Sequence, residues 1–287
     1  MSYGVNAPWG LRPMMKRGAS TFDMCSTYPI QSGQTGNIFT GDLVAIGPTT
    51  GYIQALNVVS YNDGAIAGGK VTTSIVPVGV FMGCTYTAQT ASNPTNPYQM
   101  SPMWPSGATT ATGGDALAYV IDDPTVLFNI QADNNNAALP LTGPTSIIGY
   151  NATVSWIGIS YSAGTSSVAP TGSAYNNALN TTWTTSPPGT TSSGAGNTKT
   201  GQSGMMLATG STYSSISSSI ALGSGGANGS YVFPAPSSNS FIYPLKINGV
   251  VNVPGNICST ANVTGITFVN LIVSLNNAAY QFGSPAI

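Results

Sequence analysis

From Val78 to Tyr86 the side chains change character at every step. Val78, Val80, Met82, Cys84 and Tyr86 alternate with Gly79, Phe81, Gly83 and Thr85. A two-residue period belongs to a strand, whose successive side chains leave opposite faces, and a helix cannot present it. The neighbouring stretches agree. Residues 37–46 (NIFTGDLVAI) and 51–56 (GYIQAL) flank Gly47, Pro48 and Gly51, residues suited to a tight turn, and read as a hairpin. Residues 115–121 (DALAYVI) run into Asp122-Asp123-Pro124 and emerge as 126–132 (VLFNIQA), where Val126, Phe128, Ile130 and Ala132 share a face. The expected fold class is all-β, with a small antiparallel barrel or sandwich core over residues 37–160.

The C-terminal part, residues 241–287, is expected to complete that core. It carries two apolar runs, 241–251 (FIYPLKINGVV) and 266–275 (ITFVNLIVSL). In the second, Val269, Leu271, Val273 and Leu275 lie on one face and Phe268, Asn270 and Ile272 on the other. Largely apolar character on both sides suggests a strand covered on both. Residues 146–156 add one or two strands.

Between these blocks, residues 161–240 are Ser, Thr, Gly, Asn and Ala with a single charge, Lys199. Apolar islands at 174–179, 205–208 and 231–233 interrupt them. This reads as a low-complexity insertion of short strands and loops, with no fixed-period repeat. Residues 57–74 read as a Gly/Ala-rich loop. Residues 88–114 read as a long loop holding Pro94, Pro97, Pro102 and Pro105 among Tyr98, Met100, Met103 and Trp104. An apolar loop of that length usually packs on something.

Residues 1–36 are expected to form an extended N-terminal arm, since Pro8 and Pro13 remove donors and disfavour helix before them. Trp9, Leu11 and Met14 supply apolar anchors. Arg12, Lys16 and Arg17 supply half of the six basic residues in the chain. These six are the candidate partner-binding residues. The arm docks on a neighbouring subunit in one reading and wraps its own barrel in the other.

Composition narrows the chemistry. Charged residues are 5% of the chain, against roughly 25% in an ordinary globular domain. The acids are seven Asp with no Glu, and His is absent. Missing His removes the commonest general base and the commonest metal ligand. Asp122-Asp123 is the sole close carboxylate pair; neighbours on a strand point apart, and Pro124 marks a turn, so turn capping is the expected role. No phosphate-loop, nucleophile-elbow or dinucleotide-binding motif is present. Four Asn-X-Ser/Thr matches, at Asn151, Asn180, Asn228 and Asn262, are expected by chance in so Asn- and Thr-rich a chain. Cys25, Cys84 and Cys258 are an odd number at wide spacing and are expected to be unpaired thiols. The net charge of −1 offers no attraction for nucleic acid or an anionic membrane, and no apolar run approaches the roughly 18 residues of a membrane helix. The first residues lack the apolar core of a secretory signal. No enzyme, cofactor or metal site is expected. A chain so poor in charge and so rich in apolar residues suits a subunit buried against others.

Ordered motifs point to a family. Ala7-Pro-Trp-Gly-Leu-Arg-Pro13, Gly41-Asp-Leu-Val44, Gly51-Tyr-Ile53 and Pro77-Val-Gly-Val-Phe-Met-Gly-Cys-Thr-Tyr86 open the series. Tyr98 with Trp104-Pro105, Asp115-Ala-Leu-Ala-Tyr-Val-Ile-Asp-Asp-Pro124 and Leu127-Phe-Asn-Ile-Gln-Ala132 continue it. Gly201-Gln-Ser-Gly-Met205, Pro244-Leu-Lys-Ile247, Pro254-Gly-Asn256 and Leu275-Asn-Asn277 with Tyr280 close it. The series resembles the tailed-bacteriophage capsid decoration, or cement, proteins. The resemblance implies a β-rich virion structural protein on the outer capsid surface, assembled in the host cytoplasm. Its partners would be the major capsid protein and copies of itself, as a homotrimer. The alternative is a tail or head-fibre protein contacting host surface glycans, for which Tyr161, Tyr175 and Trp183 stand among polar loops. A polysaccharide hydrolase is disfavoured by the missing Glu and His.

Overall fold

Alternation along the sequence becomes two antiparallel sheets. The computed structural model describes residues 9–17, 25–34, 36–47, 51–56, 77–88, 98–111, 116–132, 146–155, 183–184, 196–197, 200–208, 212–213, 231–232, 236, 238, 243–251 and 269–276. Every regular element among them is a strand. The first ten are β1 (Arg12–Lys16), β2 (Ser26–Ile30), β3 (Ile38–Phe39), β4 (Leu43–Ile46), β5 (Ile53–Ala55), β6 (Gly79–Thr87), β7 (Tyr98–Ser101), β8 (Met103–Trp104), β9 (Ala116–Ile121) and β10 (Val126–Gln131). Short ones follow: β11 (Asn151–Ala152), β12 (Val154–Ser155), β13 (Trp183–Thr184), β14 (Gly196–Asn197), β15 (Gln202–Ser203), β16 (Met206–Leu207), β17 (Thr212–Tyr213) and β18 (Tyr231–Val232). The last two, β19 (Leu245–Val250) and β20 (Asn270–Leu275), are long again.

One sheet runs β1-β10-β20-β19-β11; the other runs β2-β9-β6-β4-β5, with β7 also paired to β6. Both are open at their edges, so the body is a sandwich and not a closed barrel. The expected hairpin is present, with Val44, Ala45 and Ile46 opposite Ala55, Gln54 and Ile53. Leu43, Ala45, Val80 and Ile121 of the six-stranded sheet join Phe128, Ile130, Leu245, Ile247, Leu271 and Val273 of the five-stranded sheet in one buried cluster. Val269, Leu271, Val273 and Leu275 are all buried, as their shared face requires, while Asn270 and Ile272 opposite are half-buried. The other face of the six-stranded sheet has its own core. Val44, Ile53, Phe81, Cys84, Tyr86, Ala118 and Val120 pack there with Ile38 and Trp104 of the β3–β8 ribbon. Tyr86 meets Trp104 edge-on, ring centroids 5.2 Å apart.

Four features correct the sequence reading or go beyond it. First, β9 and β10, whose pairing the sequence left open, are not partners: β9 pairs with β2 and β6, β10 with β1 and β20. The Asp122-Asp123-Pro124 turn therefore crosses from one sheet to the other. Pro124 favours such a crossing, because the fixed ring takes the chain out of the ladder. Second, the alternation of Val78–Tyr86 does not hold one face throughout. A bulge between Phe81 and Gly83 inserts an extra residue, with Gly83 at φ 141°. Val80 and Met82 consequently face the inter-sheet core, whereas Cys84 and Tyr86 join Phe81 on the opposite side.

Third, within 88–114 residues 98–104 hold strands β7 and β8, and Trp104 is fully buried. Fourth, residues 9–17 and 25–30 do not form a free arm. Strand β1 pairs with β10 and β2 with β9, each on the rim of its sheet. Pro13 and Pro29 sit on those rims, where a strand tolerates a residue without a backbone donor, and prolines there also discourage edge-to-edge association.

Within the 161–240 insertion, residues 205–208 belong to the core: Met205, Met206, Leu207 and Ala208 are buried, and β16 pairs with β12. The island 174–179 and residue 233 lie outside the described residues, as do Tyr161, Tyr175 and Cys258. Cys25 and Cys84 are free thiols.

Candidate functional site

The six candidate residues of the N-terminal segment are not gathered into one site; the contacts they make are with different parts of the chain itself. Leu11 is 1% exposed and belongs to the inter-sheet core. The Arg12 guanidinium stacks 5.0 Å above the Trp9 ring. Lys16 Nζ lies 2.7 Å from Asp123 Oδ2, and Arg17 donates to Asn248 Oδ1 of β19. Met14 is half-buried, while the neighbouring Met15 is exposed. The second reading of this segment, that it closes the chain's own body, describes the geometry of residues 9–17.

The two adjacent carboxylates, in the turn between β9 and β10, take different partners. Asp122 accepts from Tyr28 Oη at 2.8 Å, tying the crossing turn to β2. Asp123 Oδ1 accepts from Thr125 N at 2.8 Å and Thr125 Oγ1 at 2.6 Å, a turn cap. Its partial burial works to raise its pKa, but the hydrogen bonds from Lys16 and Thr125, with the Lys16 charge, outweigh that and hold it below the usual carboxylate range. Among the described residues no three His, Cys, Asp or Glu side chains gather where a metal ion could bind.

A third carboxylate, Asp42, is entirely buried. Its Oδ2 accepts from Phe39 N at 2.8 Å and its Oδ1 from Ser203 Oγ at 2.5 Å. Around it four segments interlock. Leu11 N donates to Gly41 O, Gly41 N to Phe81 O, Thr40 N to Gly201 O, and Ser203 N to Thr40 O, all within 2.8–2.9 Å. Leu43 N reaches Met205 Sδ at 3.5 Å, and Met205 N donates to Ser203 Oγ at 3.0 Å. Gly10 and Gly41, with φ of 71° and 94°, allow the backbones to approach this closely. Burial pushes the Asp42 carboxyl up to about 7 against the downward pull of the Ser203 and Phe39 hydrogen bonds. No bound substrate could reach this group, so it organises the fold and does no chemistry at a surface.

The outward surface that stands apart lies where the six-stranded sheet overhangs its partner. Along one face of β9, Ile121 is buried in the sandwich, Tyr119 is half-buried, and Leu117 is 37% exposed. Register carries that face across neighbouring strands: Pro29 and Thr85 lie opposite Leu117, and Met100 lies opposite Thr85. Tyr98 is opposite Thr87 and Thr27 opposite Tyr119. Met100 is 78% exposed and Tyr98 54%. No residue of this row is charged. Thr85 Oγ1 and Tyr119 Oη are 3.3 Å apart and fix the middle of the face. The sequence reads Tyr98 and Met100 as part of a packing loop and gives no mark to Leu117 or Pro29. A signal existed in the alternation of Leu117, Tyr119 and Ile121 with Ala116, Ala118 and Val120, which puts the bulkier side chains on the side away from the second core.

No family model matches this chain, and no curated protein or solved structure matches it. No helix of the described residues is long and apolar enough to cross a membrane.

Proposed function

We propose that this chain is a non-enzymatic virion structural protein that docks on the outer surface of a phage capsid and cements it. The observation that carries the reading is the uncharged overhang of Pro29, Leu117, Met100 and Tyr98, exposed on the six-stranded sheet. Apolar and aromatic side chains held flat by a sheet lose little conformational freedom on docking, and charge is depleted at the centres of protein interfaces. The scarcity of charge over the whole chain and the resemblance of its ordered motifs to those of capsid decoration proteins support the same reading. The partners are the major capsid protein at the overhang and further copies of this chain, as a homotrimer.

Cryo-electron microscopy of decorated particles tests this directly. The reading expects many copies on the outer shell with the Met100–Leu117 face against the capsid protein. A few copies at a tail or fibre tip would support instead a receptor-contacting protein, whose exposed Tyr98 and Tyr52 rings would stack on host glycans.

A further inference from the structure

We propose that Asp42 and Ser203 form a proton-dependent clasp: with the carboxyl protonated it fastens residues 200–208 to the β3–β4 turn, and ionisation loosens that segment. The inference stands apart from the capsid reading and rests on the interior alone.

Asp42 has no solvent contact, and its two side-chain partners are a neutral hydroxyl and a neutral amide. The segments packed on it are residues 9–11, 39–43 and 200–208, together with Phe81, and they hold no other charged or titratable side chain. Among the described residues a carboxylate there has no countercharge, and two neutral donors do not replace the water it has lost. A carboxylic acid suits the site, because Oδ1 and Oδ2 can go on accepting from Ser203 Oγ and Phe39 N while the added proton removes the uncompensated charge. The direction of linkage follows. The carboxyl titrates higher in the closed state than in the open one, so the closed state holds the extra proton. The clasp is at full strength in acid and weakens as pH rises toward about 7.

The chain suits a test, since it has neither His nor Glu. Ordinary Asp and Cys titrate near about 3.9 and 8.5, outside the window from pH 5 to 7.5. The Cys25 and Cys84 thiols are both raised further by burial, Cys25 also by the Asp122 charge. Met205 and Met206 sit in the clasped segment, 2% and 0% exposed, while Met100 is 78% exposed and serves as internal reference.

The experiment is oxidation by dilute peroxide across pH 5 to 7.5, read peptide by peptide by mass spectrometry on the full chain. Oxidation of Met205 and Met206 relative to Met100 should climb by up to about tenfold per pH unit and level off above the carboxyl's own titration. Asp42→Asn, which keeps the shape without the charge, should flatten the profile. Ser203→Ala keeps the carboxyl and removes its partner, so it should raise oxidation at pH 5 while leaving a pH dependence. A wild-type profile independent of pH would overturn the proposal even if the Asp42→Asn protein failed to fold. So would a full slope retained in Asp42→Asn, or unchanged protection at pH 5 in Ser203→Ala.

Discussion

A Cβ placed on Gly10 would lie 2.5 Å from the Cβ of Ser203. The N-terminal segment and the 200–208 segment are thus pressed together at backbone distance, over the Gly41-Asp42 turn. The chain closes its sandwich by a long-range knot of glycines and one buried carboxyl, in a molecule that has little charge with which to hold its parts.

Gly10→Ala should therefore be far more damaging than Gly33→Ala. Both glycines have positive φ, 71° and 73°, so each substitution carries a left-handed strain of about 1–2 kcal/mol. A Cβ at Gly33 meets nothing within 4 Å, whereas at Gly10 it also meets Gly41 O at 2.6 Å. Overpacking of this kind adds about 1–3 kcal/mol. Urea unfolding of the two variants should show the difference, and equal losses would refute the knot.

Removing residues 1–17 should cost stability before it costs binding. The deletion takes away β1, which pairs with β10, and Leu11, which is 1% exposed in the inter-sheet core. Leu11→Ala alone should lose about 2–5 kcal/mol by denaturant titration. Lys16→Ala should lose less than about 1 kcal/mol, because its pair with Asp123 is partly exposed, the two side chains at 37% and 30%, and so is screened by water. If the truncated protein kept its full stability, the segment would after all be a dispensable arm.

Much of this was legible from the sequence. The alternation at 78–86, the hairpin at 43–55 and the buried stripe at 269–275 depend on neighbours a few residues apart, so local pattern was enough. The bulge was not legible, because one inserted residue flips the later side chains without changing their composition; Gly83 is its sole trace. The separation of β9 from β10 escaped for a related reason, since Asp122-Asp123-Pro124 has the chemistry of a hairpin turn as much as of a crossing. The Asp42–Ser203 contact joins residues 161 positions apart, and Ser203 sits in a stretch that composition alone marks as filler. Leu11 was chosen for its apolar character, which indicates burial but cannot distinguish a partner from the chain's own core.

The thiols should differ in reactivity. Cys25 is exposed and should react with a disulfide reagent in the native protein. Cys84 is 2% exposed, its Sγ lies 3.4 Å from Met103 O, and burial pushes its pKa up to about 12. It should react only on unfolding, because the thiolate is the nucleophile. Rapid native labelling of Cys84 would show that the second core opens freely.

The docking face makes the most direct claim on function. Met100→Asp and Leu117→Asp each place a charge in the middle of the uncharged row, at positions 78% and 37% exposed. Neither side chain belongs to a buried cluster, so unfolding midpoints should move little, within about 0.5 kcal/mol for a surface change. Attachment to particles should fall much further, since an unpaired charge buried at an interface costs several kcal/mol after relaxation. Wild-type attachment should resist added salt, because the row has no charge for ions to screen. Co-sedimentation with undecorated capsids over a salt series, wild type beside the two variants, separates the outcomes. Undiminished binding by both variants would remove this face from the capsid contact. Release of the wild type at moderate salt would move the contact to Arg12, Lys16 and Arg17 along the β1 edge.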